Sequence, residues 1–279
     1  MKLREIFRFE LAYQGRRPTT WLLVAAVGAL IGRLALEAFV AKARRAGYHF
    51  NAPFQLAELT LMGSALALLL PATVAGDAAT RDLQTRLHPL IYAAPLSKGA
   101  YLGGRLLAAL ALHAAALLVL PAALLLAGAS SSVEPELLAP VRVGPYAAAY
   151  LLVALPSALV ATTLLFALSV LARRALVAWL GAALLFALSL ASYGVIASAF
   201  GRWDVARLFD PLGLVALAEL SRTSTAAQKD ALAHVADGLL TWPRLVWPAV
   251  AAAALALAWR RFRFAHPPVG AGRAERRAN

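Results

Sequence analysis

Apolar runs long enough to cross a lipid bilayer recur along this chain and constrain its fold more than any other feature. A transmembrane helix needs about 20 mostly apolar residues. Six stretches meet or approach that length: Thr19–Val40, Leu56–Gly76, Leu106–Gly128, Tyr146–Ala172, Ala175–Phe200 and Trp242–Trp259. A helix satisfies all of its backbone polar groups internally, as the bilayer interior requires. We therefore predict an all-α membrane protein with six transmembrane helices.

The composition agrees with lipid as the solvent of this chain. Hydrophobic residues make up 61% of it and charged residues 15%, with a mean hydropathy of +0.70. Soluble domains average about 45–50% apolar residues and about 25% charged residues. The net charge of +13 raises the question of nucleic acid, but no basic stripe is interleaved with aromatic residues, so we expect no nucleic-acid partner. Cysteine is absent, which excludes disulfides, thiolate metal sites and a cysteine nucleophile.

The distribution of Lys and Arg predicts the orientation. If the N-terminus is cytoplasmic, seventeen of the 27 basic residues fall on the cytoplasmic side, in agreement with the positive-inside rule. Lys42, Arg44 and Arg45 are the main exceptions. All six tryptophans lie within a few residues of a stretch end, as in an aromatic belt. Both termini are therefore expected in the cytoplasm, and the N-terminus lacks the apolar core and cleavage site of a signal peptide.

Short breaks punctuate the apolar stretches. Only Arg173 and Arg174 separate the fourth from the fifth, which predicts a tight turn at a membrane surface, because either charge would be unfavourable at mid-bilayer. Prolines interrupt four stretches and predict kinks there: Pro71, Pro121, Pro156 and Pro248.

Three polar residues inside the stretches are candidate functional contacts. Arg33 and Glu37 are four residues apart, so they share a helix face. They could contact a substrate, but we prefer a local ion pair that extends to the interface. His113 could be a ligand or proton relay, and we prefer a hydrogen bond between helices.

Several chemical functions lack their motifs. There is no G-x-x-x-x-G-K-[ST] loop for ATP phosphates and no H-E-x-x-H zinc helix. The stretches also lack the series of Asp, Glu and His residues found in proton-coupled carriers. We expect neither enzymatic activity nor a cofactor or metal on this chain. If transport is active, another chain must supply the energy.

A charged, proline-containing segment lies between the second and third stretches. Leu83, Leu87, Leu90 and Ile91 recur at helical spacing, and Asp82 and Arg86 are placed to pair at i, i+4. Pro89 is unfavourable inside such a helix and Pro95 should end it. Ser97 is a predicted N-cap for the next helix. The segment predicts an amphipathic helix on the cytoplasmic surface, either docking a partner or held by lipid headgroups alone.

This segment, "RDLQTRLHPLIYAAPLSKGAYLGGR", resembles the loop after the second span in permease subunits of type-2 ABC exporters. "FRFELAYQGRRPTTW", "RLFDPLGLVALAEL" and "WRRFRF" resemble other parts of that family in matching order, although "TWPRLVW" stands where an Asn-Arg is expected. Some relatives carry a fused zinc aminopeptidase domain, for which this chain has no counterpart. The resemblance implies an exporter permease.

The resemblance also implies an architecture and partners. Residues 1–265 would form the permease domain, with an N-terminal interfacial elbow at 1–17, a coupling helix between spans two and three, and an outer helical loop before span six. Partners would be a second permease subunit, identical or a sister chain, and a cytoplasmic ABC ATPase that binds ATP and Mg²⁺. The residues implied at the ATPase-coupling interface are Asp82, Arg86, His88, Tyr92, Pro95, Ser97 and Lys98. On the elbow, Ile6, Phe7 and Leu11 would face lipid.

Other parts of the chain leave alternatives. Val205–Leu220 and Ala226–Leu240 are mildly amphipathic, and residues 201–243 are either re-entrant or an ordinary outer loop. The tail 266–279 is rich in Pro, Gly and Arg and is expected to be disordered. The composition is rich in Ala and Arg and poor in Lys, which is typical of proteins from GC-rich bacteria. We therefore expect the chain in a bacterial plasma membrane. The alternative function is a non-transporting scaffold or assembly factor that binds a cytoplasmic partner through residues 80–105.

Overall fold

The computed structural model describes residues 2–264, apart from the side chain of Trp242, and these residues form helices and no strand. In the first half the α-helices are α1 (Lys2–Gly15), α2 (Pro18–Leu34), α3 (Val40–Ala46), α4 (Pro53–Leu66), α5 (Leu69–Gln84), α6 (His88–Ala93), α7 (Lys98–Leu117) and α8 (Val119–Gly128). In the second half they are α9 (Val143–Ala149), α10 (Leu155–Ala172), α11 (Leu176–Ala191), α12 (Trp203–Ala206), α13 (Leu214–Thr223), α14 (Ala226–Asp230), α15 (Leu232–Leu239) and α16 (Val246–Arg261). Turns of π-helix at Ala35–Phe39, Tyr150–Ala154 and Ser192–Ala199 continue α2, precede α10 and follow α11.

Four helical runs are long and apolar enough to cross a membrane: Pro18–Ala46, Lys98–Gly128, Val143–Ala172 and Leu176–Ala199. Two bent pairs pass the same test when each is taken as one span. They are Pro53–Leu66 with Leu69–Gln84, bent by 42°, and Leu232–Leu239 with Pro243–Arg261, bent by 55°. The described residues thus hold four to six candidate spans, and each of the six predicted stretches falls on one of them. The predicted tail, 266–279, lies outside the described residues.

Of the four predicted proline kinks, the one at Pro71 is confirmed by a bend, and all four prolines stand in the first turn of a helix as it is assigned. Pro71, Pro121 and Pro248 are the third residues of α5, α8 and α16, and Pro156 is the second residue of α10. A proline in the first turn of a helix removes no hydrogen bond, because that N–H has no partner within the helix. The axis bends by 42° just before the segment that holds Pro71, whereas the runs Lys98–Gly128 and Val143–Ala172, which hold Pro121 and Pro156, each remain one helical run. The predicted tight turn is also present, with Arg173 in the left-handed conformation at φ 56°.

The centre of the bundle is α10, which packs against α5, α7, α11 and α16. Leu165 and Phe166 are fully buried in it, and so is Thr162. A helix that is apolar on every side and surrounded by others is the expected core of such a bundle.

The connections between spans gather at two opposite ends. At one end, Tyr92 contacts Phe264, and the Lys2 ammonium donates a hydrogen bond to the Pro95 carbonyl. The N-terminal helix, the 85–97 connection and the end of α16 therefore meet there. We call this the inner end. At the other end, the His49 ring lies 3.0 Å from Asp230.

Two of the basic residues that run against the charge rule are neutralised at the outer end. Lys42 pairs with Glu58 at 2.5 Å, and Arg44 pairs with Glu134. Both pairs join α3 to neighbouring segments at this end.

The outer segment 201–243 is more divided than predicted. Val205–Leu220 is broken at Asp210, whose carboxylate accepts hydrogen bonds from the backbone N–H groups of Leu212, Gly213 and Val215 and so caps α13. Ala226–Leu240 is broken between α14 and α15. Leu217 and Leu220 of α13 and Val235 and Leu239 of α15 are buried in the same core as the spans. The segment packs on the bundle, while α15 also forms part of the bent pair.

Candidate docking ledge and the charge cluster beneath it

The connection between α5 and α7 is a short helix between two turns. After α5 ends at Gln84, Arg86 adopts a left-handed conformation at φ 58°, and α6 begins with Pro89 in its first turn. The single amphipathic helix predicted through Leu83 and Leu87 is therefore wrong. Pro89 starts a helix, where it is tolerated, instead of interrupting one. The chain becomes extended at Ala94, as is usual before proline, so Pro95 follows the end of α6 as predicted.

Ser97 is the N-cap of α7, as predicted. Its hydroxyl accepts a hydrogen bond from the Ala100 amide at 3.1 Å. This bond satisfies one of the amide groups that the first turn of a helix leaves unpaired. It also fixes the point at which the connection becomes the third span.

Asp82 lies inside the protein, and its predicted pairing with Arg86 is wrong. Asp82 is only 3% exposed, and its carboxylate accepts hydrogen bonds from Arg105 at 2.7 Å and from the Tyr101 hydroxyl at 2.8 Å. Arg86 is exposed and forms no ion pair with it, because the helix has already ended. Asp82 is thus placed to hold α5 against α7 and not to touch a partner directly.

Asp82 belongs to a larger buried cluster that ties α1 to the two spans. Glu10 of α1 is 1% exposed, and its carboxylate accepts hydrogen bonds from both terminal nitrogens of Arg81, one of them at 3.0 Å. Nε of Arg105 lies 3.1 Å from the same carboxylate, although not in hydrogen-bond geometry. Buried charges of this kind are stable only when they are paired. Glu10 thus bridges arginines of α5 and α7.

Asp77 completes the cluster on the side of α2. It accepts hydrogen bonds from Gln14 at 2.6 Å and from Arg17 at 3.2 Å, and Arg81 lies 3.4 Å away. The cluster contains three carboxylates and three guanidinium groups, so its formal charge is zero. The residues are Glu10, Asp77, Asp82, Arg17, Arg81 and Arg105.

Aromatic rings fix α6 to the bundle. Tyr92 lies 6.2 Å from Tyr101 and 5.3 Å from Phe264 between ring centroids, and Tyr101 stacks on Phe262 at 5.5 Å. Burial and the nearby Asp82 carboxylate raise the pKa of Tyr92, so it packs as a neutral ring. Lys98 lies over the rings of Trp259 and Phe262. Tyr92 and Lys98 therefore shape the connection from inside.

Other residues of the connection are exposed among residues 2–264. Leu87 and Leu90 are 48% and 74% exposed, and Arg86 and Pro95 are also exposed. His88 is half-buried, with its ring edge against Tyr92. We call the surface of Arg86, Leu87, Leu90 and Pro95 the ledge. Of the seven residues predicted at the interface, Arg86 and Pro95 lie on the ledge. His88, Tyr92, Ser97 and Lys98 support it, and Asp82 lies beneath it.

Of the three α1 residues predicted to face lipid, Phe7 lines an open groove, whereas Ile6 and Leu11 pack against protein. A Cβ on Gly104 of α7 would lie 2.8 Å from Cγ2 of Ile6, so Ile6 packs against protein and not lipid. Leu11 is also partly buried against the core at this end. The exposed aromatic side chains of α1 are Phe9 and Tyr13, whose rings stack at 6.1 Å. Glu10 lies at the centre of the packed face because its partners are there.

The polar residues within the spans behave as local contacts. Arg33 pairs with Glu37 at 2.7 Å on an exposed helix face, in agreement with the preferred ion pair. Nδ1 of His113 lies 2.8 Å from the Thr162 hydroxyl, which confirms the preferred hydrogen bond between helices. Among residues 2–264 no group of three acidic, His or Cys side chains is placed to hold a metal ion.

Comparison with known proteins gives no relative on which to base an assignment. No family model matches the chain, and no curated protein matches it.

Proposed function

We propose that this chain is the membrane-spanning permease subunit of an ATP-binding-cassette transporter, an exporter by its resemblance, with its energy supplied by a separate ATPase that docks on the ledge. In this proposal the chain pairs with a second permease subunit in a bacterial plasma membrane. Both termini and the ledge face the cytoplasm, α1 serves as the elbow and α6 as the coupling helix.

The observation that carries the proposal is an exposed apolar ledge on a firmly held base. Leu90 is 74% exposed on a helix that buries none of its own residues. Two exposed leucines beside an arginine offer a partner both apolar area and hydrogen-bond donors, and arginine is enriched in protein interfaces. A ledge held only by lipid would not need the aromatic rings around Tyr92 or the charge pairs beneath it.

The structure sharpens the test of this proposal. Charge reversal at Asp82 would disturb the buried cluster as well as any partner contact, so it cannot separate folding from docking. Leu90→Glu changes only an exposed side chain. Val141→Glu is the matched control, because Val141 is 68% exposed and lies between α8 and α9, outside the candidate spans and away from the ledge.

The experiment is purification of the tagged chain from its native membranes in mild detergent, followed by identification of co-purified proteins. We expect a stoichiometric protein with a Walker A motif and ATPase activity to accompany the wild type and V141E, and to be lost from L90E. Retention of that ATPase by L90E would refute the docking role of the ledge. If the wild-type chain co-purifies with an intact complex that contains no ATPase, the result would instead support the scaffold function.

A further inference from the structure

A second surface at the inner end has the chemistry of a lipid site. An open groove of about 530 Å³ lies between α1 and α7. Its apolar lining comes from Leu3 and Phe7 of α1 and from Leu107, Leu110, Ala111 and Ala114 of α7. The α7 residues recur at i, i+3, i+4 and i+7, so they form one stripe along the helix. With a rise of about 1.5 Å per residue, the stripe runs about 10 Å along the third span.

One cation lies on the lining of this otherwise apolar groove. Arg4 of α1 lines it, and Arg8 is exposed one helical turn further along the same helix. Among the described residues no carboxylate forms an ion pair with either arginine. The nearby Glu10 is buried and taken up by Arg81 and Arg105. Arg4 is thus left as an available positive charge beside an apolar channel.

We propose that this groove binds an anionic phospholipid, with one acyl chain on the stripe of α7 and the phosphate at Arg4. Lipid is the occupant expected there, because the stripe belongs to a helix long and apolar enough to cross the membrane. Basic groups beside membrane helices on the inner side select anionic headgroups. A zwitterionic headgroup would bring a positive group beside Arg4 and Arg8. The inference depends on membrane insertion and stands independently of the proposed transport function.

Two substitutions test the two halves of this site. Arg4→Gln removes the cation, and Ala111→Phe fills the apolar stripe while adding a side chain on a partly exposed position. Arg16→Gln is the control, because Arg16 is an exposed arginine just after α1 and does not line the groove. Each variant is first checked for an unchanged monodisperse elution profile.

The measurement is native mass spectrometry of the full chain after exchange into detergent with dioleoyl phosphatidylglycerol or dioleoyl phosphatidylcholine. We expect the wild type to retain one phosphatidylglycerol per chain. R4Q should bind this lipid about fivefold more weakly, as expected for the loss of one basic residue at a membrane surface. A111F should lose the retained lipid. R16Q should bind like the wild type. Equal retention of both lipids by the wild type would refute anionic selectivity, and unchanged retention by A111F would refute the groove. A change of oligomeric state in A111F without loss of lipid would show that the groove is covered by a second copy, and would also overturn the proposal.

Discussion

Replacing Glu10 with glutamine removes one negative charge from the most buried part of the charge cluster. The amide oxygen can still accept a hydrogen bond from Arg81, and Arg105 keeps Asp82 as its partner. Arg81 is then left with only Asp77, at 3.4 Å and shared with Arg17, so the cluster carries one positive charge that is not balanced. The side chains of Glu10, Arg81 and Arg105 are 1%, 10% and 5% exposed. Burial decides the size of the effect, because an exposed pair contributes about 0–1 kcal/mol whereas removing one partner of a buried pair costs about 3–5 kcal/mol.

Thermal unfolding of the purified chain in detergent, followed by loss of the monodisperse size-exclusion peak, measures the effect. At about 2–4 °C per kcal/mol for a large domain, Glu10→Gln should lower the Tm by roughly 6–20 °C. Glu5→Gln is the matched control, since Glu5 is exposed on the same helix and forms no ion pair with a described residue. Its Tm should change by no more than about 1–2 °C.

A compensating variant separates unpaired charge from lost packing. Arg81→Met in the E10Q background restores neutrality, while Asp77 keeps Gln14 and Arg17 as partners. We expect the double variant to recover at least half of the lost Tm. If E10Q unfolds at the same temperature as E5Q, the buried cluster is not a source of stability. If the double variant is no better than E10Q, unpaired charge is not the cause of the loss.

Two further predictions use the same measurement. Ser97→Ala removes the N-cap bond to Ala100 and should cost about 1 kcal/mol, whereas Ser97→Thr should stay close to the wild type; equal losses would refute the cap. The Asp210 carboxylate accepts hydrogen bonds from the Ser189 hydroxyl and from backbone amides such as that of Val215. Asp210→Asn places an N–H₂ group among these donors, so it should lower the free energy of unfolding by about 1–3 kcal/mol. An unchanged Tm would show that the carboxylate is not needed there.

The candidate spans and the helix breaks before Pro71 and Pro121 were predictable because they depend on local properties. The apolar lengths are contained in each stretch, and a proline affects only the turn in which it stands. That is why the break before Pro121 and the bend before Pro71 could be anticipated from the sequence. Ser97 belongs to the same class, since an N-cap needs only a residue and the amide three positions later.

The partners of the charged residues were not predictable from spacing. Asp82 and Arg86 satisfy the i, i+4 rule, but that rule holds only while the helix continues, and α5 ends before Arg86. The true partner, Arg105, lies 23 residues along the chain on α7. Glu10 and Arg81 are 71 residues apart. One available signal was the presence of charged residues within otherwise apolar helices, because such charges must find partners or reach the interface.

The orientation of α1 shows the same limitation. Its apolar residues suggested that Ile6, Phe7 and Leu11 face lipid and that Glu10 interrupts the apolar face, but Ile6 and Leu11 pack against protein. Amphipathicity identifies an apolar and a polar face of a helix. It does not show which face packs against protein when buried arginines are available to pair with an acidic residue of that helix. Here the pairing of Glu10 with Arg81 and Arg105 determines the rotation of α1, and Phe9 is left on the outer surface.

Under the proposed function, the cluster explains how a small surface could move a large part of the membrane domain. The ledge follows α5 directly and leads through Ser97 into α7, while Glu10 fastens α1 to both helices. Separating any one of the three would leave a charge unpaired in a low-dielectric site, at a cost of several kcal/mol. Force applied at Leu87 and Leu90 would therefore move α1, α5 and α7 together, and bending would be expected where the helices are already interrupted, such as the 42° break between α4 and α5.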